Sequence, residues 1–142
     1  IENNSILEIR NPISTRPWQH VLEPLSGYLL LAYHLYKQPK KINGSWNFGP
    51  STKDIREVLE VASEMFKIIG RGKVKIVKNK NSFKEAEILQ LNCDKANQIL
   101  DWRPKWNVSK TLYKTADWYK RYMNGENPRK ITLEQINEYI EK

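Results

Sequence analysis

Sulfur, imidazole and long apolar runs are scarce in this chain, and each shortage removes a class of protein. One cysteine, Cys93, in 142 residues excludes an intrachain disulfide framework. With two histidines, His20 and His34, beside it, no zinc-ligand spacing can be assembled. The six glycines are scattered, none in the G-x-G-x-x-G order that cradles a dinucleotide phosphate. The longest apolar run, near Tyr28–Tyr36, is interrupted by His34 and falls far short of the roughly 20 residues of a membrane span. The chain opens Ile1-Glu2-Asn3-Asn4-Ser5, without Met and without a signal-peptide pattern. These absences point to a reducing, cytoplasmic setting with no membrane partner and no metal, and to a piece of a longer polypeptide.

What is present suits one globular domain. Hydrophobic residues make up 39% and charged residues 28%, with five Trp, seven Tyr and three Phe, which is too apolar and aromatic for a disordered chain. The formal net charge is +8, from 24 Lys+Arg against 16 Asp+Glu. The basic residues are spread along the chain from Arg10 to Lys142, and no nucleic-acid-reading motif accompanies them. They read as solvated surface, so nucleic acid is not the expected partner; a basic, non-enzymatic binding module is the alternative.

Periodicity gives an α/β (α+β-like) chain, helix-rich with a few short strands. Short strands are expected at Ser5–Arg10, Ser45–Pro50, Lys73–Lys78 and Glu87–Leu91, with an extended stretch at Thr15–Leu22. A helix is expected from about Pro24 to Gln38, with Leu25, Tyr28, Leu29, Ala32, Leu35 and Tyr36 as its packing stripe. Leu30 and Leu31 widen that stripe, so the helix needs cover on more than one side. An isolated chain would then expose an apolar patch and self-associate. Ser51, with Asp54 three residues on, is expected to cap a helix that Gly70 stops. Asn92 suits the cap of a helix over Asp94–Leu100, Ser109 that of a helix to about Asn124, and Thr132 with Gln135 a capping box for Leu133–Glu141. Residues 1–125 read as one unit and 126–142 as a terminal helix or tail.

Few residues offer chemistry. His34, inside the first helix, reads as a packing or surface histidine, and Cys93, beside the acid Asp94, as a structural thiol. Trp102, Trp106 and Trp118 read as packing anchors. Arg16 and His20, four apart in an extended segment, would share one strand face, where a guanidinium fork suits an anionic ligand such as a diphosphate.

At Arg16-Pro17-Trp18-Gln19-His20-Val21-Leu22-Glu23-Pro24-Leu25 the sequence resembles the nucleotide-sugar branch of the extended short-chain dehydrogenase/reductases, in the form found in the CDP-glucose 4,6-dehydratases. The branch shows Arg-Asp-Trp/Tyr-x-His-Val-x-Asp here; Pro17 and Glu23 replace its two Asp. Trp46-Asn47-Phe48-Gly49-Pro50, Glu85-Ala86 with Leu91-Asn92-Cys93-Asp94-Lys95-Ala96, Leu100-Asp101-Trp102-Arg103-Pro104 and Thr115-Ala116-Asp117-Trp118-Tyr119 follow in the family's order. The resemblance covers residues 5–122 and implies the C-terminal, substrate-binding portion of a lyase whose Rossmann portion carries NAD and the catalytic Tyr-x-x-x-Lys. In such enzymes NAD oxidises the sugar at C4, water leaves across C5–C6 and hydride returns to C6, a step in deoxysugar biosynthesis of the lipopolysaccharide O-antigen kind. This chain alone is expected to be inactive, with no catalytic or NAD-binding residue of its own. The resemblance implies a substrate-binding set of Arg16 on the diphosphate of CDP-glucose, Gln19 and His20 beside it, Asn47 on the nucleotide side, and Glu85. Ser82 falls where related dehydratases often have a second arginine. A related epimerase, or a dehydratase for a GDP- or dTDP-sugar, is the alternative reading, and the parent is expected to be a homo-oligomer.

Overall fold

The computed structural model describes residues 6–77 and 88–141. β1 (Ile6–Ile9) pairs in parallel with β4 (Lys73–Ile76), in register from Ile6↔Lys73 to Ile9↔Ile76. A parallel pair needs a long crossover, and here the chain between the two strands carries α1 (Leu22–Lys37) and α2 (Val58–Ile69). Within that crossover β2 (Thr15–Arg16) lies antiparallel to β3 (Arg56–Glu57), and Thr15 also bridges in parallel to Ile88. The strand expected at Glu87–Leu91 is reduced to that single bridge among the described residues. In β4 the Lys/Val alternation sets Val74 half-buried, but Ile76 is exposed rather than inward.

α1 begins before Pro24, the residue expected to open it. The first four N–H groups of a helix have no intrahelical acceptor, so proline at the third position breaks no bond. Its stripe is reversed relative to expectation. Glu23 and Gly27 face inward with half-buried Leu30 and Leu31, whereas Leu25, Tyr28, Leu29, Leu35 and Tyr36 are exposed. Gly27 sets the inner side, because its bare Cα lets the Phe48 ring lie against the helix; a Cβ there would sit 2.3 Å from Phe48 Cδ1.

Residues 45–50 form no strand, contrary to expectation. No strand among the described residues pairs with it, and side chains hold the segment instead. Gln19 Nε2 donates to Phe48 O at 2.9 Å, Gly49 N to Cys93 Sγ at 3.1 Å, and Lys95 Nζ to Asn43 O and Ser45 O. Ser51 does accept from Lys53 N, but it opens a 3₁₀ turn (Thr52–Asp54), not the long helix. Tertiary contacts explain the delay: Asp54 accepts from Val108 N, and Val58 N and Leu59 N are held by Ser14 O and Pro12 O. α2 is opened by Glu57 and Glu60 in a reciprocal capping box and closed by Gly70 at φ 84°.

α3 (Asp94–Leu100) starts where Asn92 Oδ1 accepts from Asp94 N. α4 (Val108–Met123) is capped by Asn107 rather than Ser109, and Gly125 follows its end at φ 85°. α5 (Pro128–Ile140) starts ahead of the expected Leu133, because Asn127 accepts from Arg129 N and Lys130 N and Pro128 occupies the first turn. The expected Thr132–Gln135 box is spent on α4: Thr132 Oγ1 accepts from Trp118 Nε1, and Gln135 Nε2 donates to Lys114 O.

Two apolar clusters result. Ile42, Phe48, Ala96, Leu100 and Trp102 form one under α1; Val61, Val108 and Leu112 form the other between α2 and α4, with Trp18 packed on it. A polar junction ties them together. The fully buried Glu23 carboxylate accepts from Lys105 N, from Trp106 N at 2.8 Å and from Tyr139 OH at 2.7 Å.

Candidate ligand-binding site

The β2–α1 junction carries three of the five residues proposed from sequence. Arg16 is half-buried on β2, and its Nη1 donates to Thr15 O at 2.8 Å. β2 ends there, because Trp18 N turns back to Arg16 O at 2.9 Å. That turn overturns the shared strand face expected for Arg16 and His20. Arg16 sits in register with Arg56 on β3, while His20 lies buried at the mouth of α1.

His20 is 5% exposed, and its ring lies 4.9 Å from that of Trp106. Nδ1 accepts from Leu22 N at 3.3 Å, so the neutral ring carries its proton on Nε2. Burial pushes the imidazole below its ordinary range; a hydrogen bond with Gln135 pulls it up and the Lys114 charge pushes it down. Gln19 has its amide fixed by Phe48 O, and its Oε1 is buried without a hydrogen-bond partner among the described residues. Gln19 and His20 line one side of a cleft of about 520 Å³, closed on the other by Thr115, Trp118 and Tyr119 of α4 and Thr132 and Gln135 of α5. Arg16 is not among its walls. The cleft lining has no charged side chain, so it suits a neutral group and not a phosphate.

Asn47 lies elsewhere, exposed, with Nδ2 donating to Asn92 O at 3.1 Å. It fastens the loop before Gly49 to the loop before α3, at the edge of a second cleft of about 700 Å³ that runs from Gly49–Thr52 to Gln90–Asp94. Glu85 lies outside the described residues. Cys93, half-buried, accepts from Gly49 N, and burial pushes its thiol pKa up, so it serves as a packing and hydrogen-bonding group, not a thiolate nucleophile. Trp102 and Trp106 are buried as expected of anchors. No cluster of three His, Cys, Asp or Glu is placed to hold a metal among the described residues.

Sequence reasoning missed two groups. Glu23 reads there as a replacement of the motif's acid, yet it is the buried anion on which α1, the Lys105–Trp106 turn and Tyr139 converge. An acid at the helix start beside a proline was the available signal. Arg56 carries no local signal, since only the β2–β3 register sets it opposite Arg16.

This arrangement of short parallel strands, crossover helices and a terminal helical hairpin is a known one. It matches a dTDP-glucose 4,6-dehydratase from Bacillus anthracis in complex with NAD at a TM-score of 0.63, with 19% identity over 82% of this chain and 35% of that one. It matches a UDP-glucuronic acid 4-epimerase from Bacillus cereus, in complex with UDP-glucuronic acid and NAD, at 0.62, with 20% identity over 83% of this chain and 35% of that one. The fold is therefore one shared with nucleotide-sugar dehydratases and epimerases. In sequence the chain resembles a particular member, being 40% identical over 139 residues to CDP-glucose 4,6-dehydratase of Salmonella typhimurium. That match takes in 98% of this chain, the α5 region included, and the chain spans 39% of the relative's length. No family model matches the chain.

Proposed function

We propose that this chain is the substrate-binding portion of a CDP-glucose 4,6-dehydratase, an NAD-dependent lyase that converts CDP-glucose to CDP-4-keto-6-deoxyglucose with loss of water in the cytoplasm. The observation that carries the reading is the 40% identity to the Salmonella enzyme, running through Arg16–Leu25. Arg16 takes the diphosphate, for which a planar fork of donors is suited. Gln19 and His20 build the adjoining wall, Asn47 holds the loop on the nucleotide side, and Glu85 completes the set.

The residues present do not make a dinucleotide cradle. Gly27 is packed on Phe48, Gly49 on Leu91 and Cys93, and Gly44, Gly70, Gly72 and Gly125 sit at turns with positive φ, none of them at the mouth of a strand–helix phosphate loop. NAD, when bound to the intact enzyme, supplies the hydride chemistry; this chain's residues bind and orient the nucleotide-sugar. Alone, the chain is inactive, and it self-associates through the exposed face of α1 that the remainder of the enzyme covers.

The test supplies this chain with the part of the Salmonella enzyme outside the matched residues and follows NAD-dependent loss of water from CDP-glucose by mass spectrometry. A 4-keto product from CDP-glucose is the expected result; no product, or product only from GDP- or dTDP-glucose, overturns the assignment. The fold shared with the UDP-glucuronic acid 4-epimerase keeps an epimerase as the second reading. Epimerised product without loss of water would select it.

A further inference from the structure

The α4–α5 hairpin forms one wall of the cleft of about 520 Å³, and that wall is braced by the chain itself. Trp118 Nε1 donates to Thr132 Oγ1 at 3.0 Å and Gln135 Nε2 to Lys114 O at 2.8 Å. Ion pairs tie the two helices together, Lys110 with Glu138 at 2.8 Å and Arg121 with Glu134 at 2.7 Å, and none of these four residues lines the cleft. Inside it, polar groups keep hydrogen-bonding capacity. The Thr115 and Tyr119 hydroxyls make no hydrogen bond among the described residues, and the Thr132 hydroxyl, which accepts from Trp118, still has its own proton to donate. Trp118 is half-buried, unlike the buried Trp102 and Trp106, and Tyr122 stacks on it at 5.3 Å and fixes its ring plane. The cleft thus joins an oriented aromatic ring to open hydroxyls, with no charge in its lining.

We propose that this cleft binds a neutral saccharide, at a site separate from the diphosphate assigned to Arg16. A sugar hydroxyl donates and accepts at once, which matches the open hydroxyls of Thr115, Tyr119 and Thr132. The C–H face of a sugar ring packs on an aromatic surface, whose electron-rich face attracts polarised C–H groups; Trp118 supplies that surface. A phosphate or carboxylate would lose its hydration there with no cation in the lining to pair with. A wholly apolar ligand would strip water from the hydroxyls and leave them unpaired. The volume lies within the range of small-molecule sites. The inference goes beyond the dehydratase reading and does not rest on it: Arg16 is not a wall of the cleft, and each assignment can fail without the other.

The experiment titrates the whole chain with methyl α-D-glucopyranoside and with maltose and follows the indole N–H signals by heteronuclear NMR. The signal that Trp118→Phe removes is expected to shift and saturate. Thr115→Val deletes a hydroxyl that no described group uses and keeps the β-branched shape. It is expected to weaken binding roughly fivefold, the loss of one hydrogen bond, with Tm within about 1 °C of the parent. Tyr36→Ala, which removes an 83%-exposed ring on α1, is expected to leave binding unchanged. No saturable shift at Trp118, or equal losses in Thr115→Val and Tyr36→Ala, overturns the site. Benzyl alcohol bound in preference to both sugars overturns the saccharide assignment. CDP is expected not to displace the sugars, and Arg16→Gln to leave their binding intact. Displacement by CDP, or loss of sugar binding in Arg16→Gln, would make the cleft part of the nucleotide-sugar site and overturn its separateness. Saturable sugar binding that Thr115→Val weakens supports the site even where CDP-glucose proves not to be the substrate.

Discussion

α1 has two sides that obey opposite rules. On the inner side a carboxylate is wholly buried, and every partner it needs is in place: Lys105 N, Trp106 N and the Tyr139 hydroxyl, which also meets Ser26 Oγ at 3.0 Å. Trp102 Nε1 donates to the same Ser26. On the outer side Leu29 is 74% and Tyr36 83% exposed. A buried charge is tolerable only when fully hydrogen-bonded, so the inner side holds this chain's fold. Apart from the edge contact of Tyr28 on Phe48, the outer side leaves its apolar area available to another surface.

Substitutions can break this contrast. Glu23→Ala has the largest expected effect, since it orphans two backbone N–H groups and takes from the Tyr139 hydroxyl one of its two partners; about 3 kcal/mol should be lost in urea unfolding. An unchanged midpoint would deny the junction its role. Gly27→Ala comes next. Its Cβ meets the Phe48 ring, and overpacking of that kind costs about 2 kcal/mol, read as a lower Tm together with altered Trp102 fluorescence through the Phe48–Trp102 contact at 5.0 Å.

Acid tests the inner side more gently. The folded-state pKa of His20 lies below its unfolded value, so the unfolded chain binds the extra proton between the two. Stability therefore falls as pH drops below about 6.5, the unfolded value, toward the folded pKa. His20→Gln should flatten the urea midpoint over that window, and an unchanged slope would place the titration elsewhere. The smallest effect on stability belongs to the outer side: Leu29→Glu should leave Tm within about 1 °C of the parent, as surface changes do, while shifting sedimentation toward monomer. A clear loss of stability there would mean the outer face belongs to the fold after all.

Element existence was legible where a local signal is strong. The helical runs through Leu22–Lys37, Val58–Ile69 and Val108–Met123, and the stops at Gly70 and Gly125, follow from periodicity and from backbone conformations that glycine adopts freely. Starts were less legible, because several polar groups can cap a helix and tertiary partners choose among them. Asp54 is taken by Val108 N, Thr132 by Trp118, and Gln135 by Lys114 O, which leaves Glu57, Asn107 and Asn127 as caps. Of the candidate site, the Arg16–His20 segment was legible as a motif, but its shared face was not, since a turn at Trp18 intervenes.

By itself the sequence determined that this is a helix-rich chain with too little sulfur and imidazole for a metal or disulfide scaffold, and that it resembles the CDP-glucose 4,6-dehydratases. Only the tertiary structure decided which side of α1 faces inward, that Glu23 is an interior anion, and that Arg56 stands across from Arg16. Spacing fixes which residues share a helix face. Which face is buried depends on groups distant in sequence, here the Phe48 ring, the Lys105–Trp106 amides and the Tyr139 hydroxyl, whose positions no local pattern encodes.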